Sequence, residues 1–307
     1  MIPVLTRDAV EPLLDWLDLT EALLDGHRRP PAQIKDVLMA RGDERLLSRS
    51  AWIDGLGLGV KSVTVFPANA AAGRPSVQGA MLVFDDTSGA IEAVIDNALI
   101  TRWKTAGDSL LGARLLARPD AAHLLILGAG SVADSLIEAY RAWKPALQIT
   151  LWARRPEAAQ ALAAAHRDVQ VARDLPAAVA RADIVSTCTM ASQPILQGDW
   201  LRPGQHIDLI GAYTPQMREA DDTALRRARI FVDSRATTLG HIGELMIPLA
   251  NGTITEADVQ GDLHDLAAGT AGRRSPEDIT LYKNGGGAHL DLMTARMMLD
   301  RWRAAGA

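Results

Sequence analysis

The sequence predicts an α/β protein built from a doubly wound parallel sheet and a smaller α+β domain. Three observations carry this. First, from residue 123 on, short apolar runs alternate with amphipathic helical patterns: His123–Leu127, Gln148–Trp152, Val169–Ala172, Asp183–Cys188, His206–Ile210 and Arg229–Val232. Strands apolar throughout and separated by helices are those of a parallel sheet covered on both faces. Second, the stretch before residue 100 has shorter strand patterns (Arg45–Trp52, Leu58–Phe66, Ala80–Phe84, Ile91–Ile95) with Asp85–Gly89 as a hairpin loop, which reads as an antiparallel or mixed sheet. Third, 307 residues, 48% of them hydrophobic, suffice for two packed cores.

Taken in order, Val10, Leu13, Leu14, Leu17, Leu23 and Leu24 fall on one helical face, with Thr6 or Asp8 as the expected cap and Pro30-Pro31 beyond the end. A second helix is expected from Lys104 to about Leu116, and a last one from Ala288 to Trp302 after the flexible junction Gly285-Gly286-Gly287. The expected domains are 1–112 together with 288–307, and 113–287.

Composition narrows the function. Lys+Arg number 32 against 37 Asp+Glu, a net charge of −5, which argues against general nucleic-acid binding. No apolar run approaches the roughly 18 residues of a membrane span. The single cysteine, Cys188, allows no intrachain disulfide, and the start has no signal-peptide pattern, so a cytoplasmic protein is expected. Cys188 has no Cys or His pattern around it that would suggest a metal site.

The motif with chemical content is Leu127-Gly128-Ala129-Gly130-Ser131-Val132-Ala133, directly after a buried strand and opening a helix. Glycines there allow a tight turn and close approach of a pyrophosphate, and the helix N-terminus offers free N–H groups. In this context G-x-G-x-x-A reads as a Rossmann-type dinucleotide site. About 20 residues on, an NAD site usually carries an acid. Here the second strand ends in Trp152-Ala153-Arg154-Arg155, with Glu157 the first acid. The arginines suit a 2′-phosphate, so NADPH is expected ahead of NADH, unless both are simply solvated surface charges.

Several ordered segments resemble the ornithine cyclodeaminase/mu-crystallin family: Gly59–Val63 with Phe66–Asn69, Thr101–Ala106, the Gly128 fingerprint, Ser186–Thr189 and Gly211–Glu219. The resemblance runs from about residue 10 to the C-terminus. It implies a homodimer joined through the first domain, which would bind substrate and be closed by the C-terminal helix. It also implies that Lys61 is the active-site lysine, that Lys104 stands where most members carry a carboxylate-binding arginine, and that Ser76 and Thr105 lie near the cofactor. Cys188, Thr189 and Met190 would skirt the ribose, with Gly211 also on the cofactor side. The family's earlier substrate arginine has no clear counterpart; Lys35 and Arg49 are candidates, and Arg49 is preferred for lying on a strand near Lys61.

Tyr213 stands where the cyclodeaminase has a catalytic aspartate, and a phenol with an ordinary pKa near 10 is a poor substitute for a carboxylate base. The resemblance therefore implies an NAD(P)H-dependent reductase of a cyclic ketimine carboxylate, Δ1-pyrroline-2-carboxylate or its six-membered homologue. The alternatives are an alanine dehydrogenase-like or other imino-acid reductase, a cyclodeaminase, and a non-enzymatic binding protein. Among the remaining residues, Leu58, Val60, Val63 and Val65 are expected to ring Lys61, His206 and His241 to be structural or solvated, and Asp233 to cap the helix that follows it.

Overall fold

The computed structural model describes residues 2–306. The chain divides into two compact units, Met1–Lys104 with Gly287–Ala307, and Thr105–Gly286. The first division falls after Lys104 rather than after residue 112, and both positions lie inside a single helix, Asn97–Leu116.

In the first unit, strands β1 (Val4–Leu5), β2 (Gln33–Arg41), β3 (Glu44–Ile53), β4 (Gly57–Val65), β5 (Val77–Phe84) and β6 (Ile91–Asp96) form one sheet in the order β1-β6-β5-β4-β3-β2. The β2-to-β6 run is an antiparallel meander, and β1 pairs parallel to β6. Helices Trp16–His27 and Ala288–Ala304 belong to this unit. The first buries Trp16, Leu19, Leu23 and Gly26, a 3.6-residue stripe, and Gly26 lies so close to Met293 that a Cβ there would be 2.4 Å from its sulfur.

The N-terminal helical pattern is not one helix. It breaks into Arg7–Val10, a 3-10 turn at Glu11–Leu13 and Trp16–His27, because Pro12 interrupts it and Asp15 starts the chain afresh. Asp15, not Thr6 or Asp8, is the side chain that caps, accepting from the amides of Leu17 and Asp18.

In the second unit, β7 (His123–Leu127), β8 (Gln148–Trp152), β9 (Val169–Val171), β10 (Ile184–Thr187), β11 (His206–Leu209), β12 (Ala228–Val232), β13 (Val259–Gly261) and β14 (Ile279–Lys283) form an all-parallel sheet ordered β13-β12-β14-β11-β10-β7-β8-β9. The fold is thus doubly wound, with two more strands than the six that the sequence pattern singles out. From β7 the chain winds one way through β8 and β9, and from β10 the other way, so the switch point lies between β7 and β10. Helix Ser131–Trp143 follows β7 and buries Ala133, Leu136, Ile137 and Tyr140.

Two of the three glycines before the last helix are held by hydrogen bonds within the second unit. The buried Asp233 carboxylate accepts from the amides of Gly285 (2.9 Å), Gly286 (2.5 Å) and Ser234 (2.7 Å). Asp233 therefore ties β12 to the end of β14 instead of capping a helix; Ser234 occupies the N-cap position of Arg235–Thr238. His206 is buried and bonded to Thr280, and burial pushes its pKa down to about 3, so it stays neutral.

Candidate functional site

Two groups of residues matter, one in each unit. In the second, a cavity of about 350 Å³ opens at the carboxyl ends of β7, β8 and β10 and is lined by Gly128–Gly130, Trp152–Arg155 and Cys188–Ala191. This is the switch point, where open α/β sheets take ligands. Gly128 has φ 138°, and a Cβ on it would sit 2.6 Å from the Cys188 sulfur. A Cβ on Gly130 would meet no atom within 4 Å, so the space beside that turn is open to a ligand. Gly130 is also the N-cap of the helix Ser131–Trp143 and offers no side-chain cap, which leaves the first-turn amides, including those of Ser131 and Val132, available. The turn thus fits a pyrophosphate.

Arg154 and Arg155 are exposed on the cavity wall, and neither makes a side-chain hydrogen bond or ion pair among the described residues. Cys188 bonds weakly to Leu127 O at 3.4 Å; burial raises its pKa well above the usual range, as for an unreactive lining thiol. Met190 is exposed at the cavity edge.

Glu219 supports this loop cluster from behind. Its fully buried carboxylate accepts from the Thr187 hydroxyl (2.8 Å), the Thr189 amide and hydroxyl (both 2.7 Å) and the Gly211 amide (2.6 Å). Gly211 packs so closely that a Cβ would lie 1.9 Å from Thr189 O. Gly211 is thus part of the scaffold behind Thr189 and does not line the cavity. Beside it, Asp208 accepts from Ser109 and Ser186 (both 3.0 Å), and burial raises its pKa to about 7. Thr105 lies on the helix Asn97–Leu116, and its carbonyl accepts from Asn284.

In the first unit, strand register does the assembling. Asp36 on β2, Arg49 on β3, Lys61 on β4 and Met81 on β5 are successive cross-strand partners, hence on one face of the sheet. Arg49 Nε donates to Asp36 at 2.8 Å. Lys35 is exposed and pairs across to Ser50, out of that row.

The neighbours expected around Lys61 are partly wrong. Burial on β4 alternates, so Gly57, Gly59, Lys61 and Val63 point to the buried side while Leu58 and Val60 point to the other. What meets Lys61 is Asp291, from the helix Ala288–Ala304, with Nζ 2.7 Å from Oδ1. Lys61 is only 6% exposed; burial lowers its pKa, Asp291 opposes that shift, and Lys104 and Arg49 add to it.

Lys104 shares its helix with Arg102 and Trp103, both of which are spent on structure. Arg102 pairs with Glu11 at 2.9 Å, while Trp103 bonds to Glu11 and stacks on Trp16 at 3.9 Å. Lys104 itself is 7% exposed and, among the described residues, has no hydrogen bond or ion pair. Its stem is buried, but Nζ is not among the buried polar atoms left without a partner, so the ammonium keeps contact with solvent and is open to an incoming anion. Ser76 sits just before β5, with its carbonyl taken by the Phe66 amide.

Two side chains that matter here carry no role in the sequence reading. Asp291 is a lone acid in the apolar run Leu290-Asp291-Leu292-Met293, a signal that was available; Glu219 is visible only as the end of a motif.

The fold and these two groups define a dinucleotide-binding α/β protein with a second folded unit presenting buried cations. The comparisons narrow that class. The family model for the ornithine cyclodeaminase/mu-crystallin family matches residues 36–306, and the chain belongs to that family. It is 57% identical to the Delta(1)-pyrroline-2-carboxylate reductase of Paracoccus denitrificans over 288 residues, covering 92% of this chain and 91% of that protein. Among solved structures it is similar to Thermococcus litoralis Delta(1)-pyrroline-2-carboxylate reductase in complex with NADH and L-proline (TM-score 0.90, 25% identity, 100% and 99% of the two chains). It is also similar to an archaeal alanine dehydrogenase dimer with bound NAD (TM-score 0.90, 26% identity, 100% and 97%).

Proposed function

We propose that the protein is a reductase of cyclic ketimine carboxylates, converting Δ1-pyrroline-2-carboxylate to L-proline and accepting the six-membered homologue. The observation that carries this reading is the buried, unpartnered Lys104 beside Lys61 and Arg49, a cluster of cations suited to one small carboxylate. The 57% identity to the Paracoccus reductase supports the choice of substrate.

A reduced nicotinamide dinucleotide, held by the Gly128–Val132 turn and with Ser76, Thr105, Cys188, Thr189 and Met190 as its further surroundings, would supply the hydride. The chain's own residues do the rest. Lys104, as a point charge, and Arg49, once drawn from Asp36, bind the carboxylate and fix the ring. Lys61 holds a proton at Nζ, where it can be given to the imine nitrogen directly or through a water. The imine carbon gains a hydride and the nitrogen ends as an amine bearing that proton.

For the cofactor, Arg154 and Arg155 favour NADPH over NADH. The test is oxidation of NADPH and of NADH with the five- and six-membered ketimines, beside pyruvate plus ammonium. Turnover on the cyclic imines with NADPH preferred is expected. Arg154→Ala/Arg155→Ala should raise KM for NADPH about tenfold or more while leaving KM for NADH near its parent value, as loss of charge-assisted phosphate contacts predicts. Turnover confined to pyruvate and ammonium would overturn the substrate assignment, and equal effects on both cofactors would overturn the role of the arginines.

The reading includes a homodimer. On the edge strand β2, Val37, Leu38 and Met39 are 51%, 64% and 60% exposed, an apolar run on a strand with one side unpaired. Val37 and Met39 share a face. Light scattering should give a dimer for the parent and a monomer for Val37→Asp/Met39→Asp; a double variant that remains dimeric would remove β2 from the interface.

A further inference from the structure

The Lys61–Asp291 pair brings together residues 230 positions apart, in a part of the molecule with an excess of positive charge. Asp291 is fully buried, and its Oδ2 has no hydrogen-bond partner among the described residues. The charged groups acting on it are Lys61 from β4, Lys104 from the helix Asn97–Leu116 and Arg49 from β3; Arg49 is itself shared with Asp36. On its own helix the nearest titratable neighbour, His289, packs edge-on against His27 of the helix Trp16–His27, with ring centroids 5.4 Å apart. Among the described residues, Asp291 is the one carboxylate that acts on Lys61 from the helix side.

That arrangement bears on the form of substrate the site accepts. Three cations alone would attract any small carboxylate, but they would oppose a substrate whose nitrogen carries a proton, and an imine accepts hydride well only when protonated. A buried carboxylate offsets one of the three charges, so the zwitterion formed when Lys61 gives its proton to the imine nitrogen, carboxylate and iminium in one ring, meets both signs.

We propose that Asp291 is the positioning residue of the site: its carboxylate holds the Lys61 ammonium in place and tilts the site toward the protonated imine over a plain carboxylate. This rests on the ketimine reductase reading. Asp291 acts through Lys61 and through charge, and the bond it makes fixes one of the lysine's three protons, leaving the other two for substrate. The protonation of Lys61 follows from the same contact, since without its partner the buried ammonium gives up its proton more readily.

The test uses Asp291→Asn and Asp291→Glu in the full chain, with kcat and KM followed across pH. Binding of pyrrole-2-carboxylate, a ring carboxylate whose nitrogen does not take up a proton in this range, is measured alongside. For Asp291→Asn, kcat should fall about 100-fold, the scale of a lost proton-transfer role. The alkaline limb of its pH profile should move to lower pH, while pyrrole-2-carboxylate binds as tightly as before or more tightly; Asp291→Glu should recover part of the rate. An unchanged kcat and limb would overturn the proposal. So would a parallel loss of pyrrole-2-carboxylate binding, the mark of a merely structural residue.

Should Asp291→Asn fold poorly, Lys61→Met/Asp291→Asn decides the coupling. Stability restored in the double variant supports a pair that acts as a unit, and additive losses count against it. If the parent reduces no ketimine, the function reading fails separately. Asp291 is then judged on pyrrole-2-carboxylate alone: tighter binding to Asp291→Asn upholds its charge-balancing role and weaker binding refutes it.

Discussion

Lys61→Ala is expected to lower turnover of the cyclic ketimine by about 1,000-fold, within the range for loss of a positioned proton donor, and to leave dinucleotide binding unchanged. The separation follows from placement. Lys61 is on β4 in the first unit, whereas the glycine turn, Arg154 and Arg155 belong to the second. Loss of the side chain removes a proton source and a charge, and leaves Asp291 buried without its partner. Some loss of stability should accompany the kinetic effect, because a carboxylate stranded in the interior is penalised. Fluorescence titration with NADPH, alongside ketimine-dependent NADPH oxidation, measures both. Full activity in this variant would remove Lys61 from the mechanism; loss of NADPH binding would show that its effect is not local.

Glu219→Gln is expected to cost about 2–4 kcal/mol, although it changes one oxygen to an amide. Each carboxylate oxygen accepts two protein donors: Oε1 from the Thr189 amide and hydroxyl, Oε2 from the Thr187 hydroxyl and the Gly211 amide. Whichever way a glutamine is turned, its NH₂ faces a backbone amide that then has no acceptor. Gly211 cannot retreat, packed as it is against Thr189. For a unit of this size each kcal/mol lowers Tm by about 2–4 °C, so a fall on the order of 10 °C is expected. Because Thr189 lines the cavity, NADPH affinity should weaken as well. Calorimetry and titration check the two effects. A variant within about 1 °C of the parent, below the shift expected for even one lost buried bond, would show that these four bonds carry little.

How far the sequence discloses the molecule depends on how local the signal is. Strands β7, β8 and β11 are legible almost to the residue because they are short apolar runs bounded by polar turns. β14 escapes notice: Ile279-Thr280-Leu281-Tyr282-Lys283 carries a threonine and a lysine, and only the fold reveals that Lys283 is buried, donating to the Leu209 carbonyl. β2 is missed for the opposite reason, since its side chains are exposed on both faces and no alternation marks it.

The site divides in the same way. The glycine turn and its arginines are contiguous and readable. The Lys61 surroundings depend on strand register and on a helix more than 200 positions away, so the expected ring of Leu58 and Val60 gave way to Arg49 and Asp291. Arg49 is readable because it lies on a strand pattern next to that of Lys61, and the register makes the two direct neighbours.

The contact between Asp233 and the Gly285-Gly286 pair bears on how such chains can be recombined. Gly285 and Gly286 lie fifty-two and fifty-three positions from Asp233, yet its one carboxylate holds the backbone just past the end of the parallel sheet's strand β14. Gly285 has no room to vary, since a Cβ there would come within 2.4 Å of Thr238. A chimaera that borrows the C-terminal segment from a relative must therefore bring a matching partner at position 233, so the two segments behave as one unit of inheritance despite their distance along the gene.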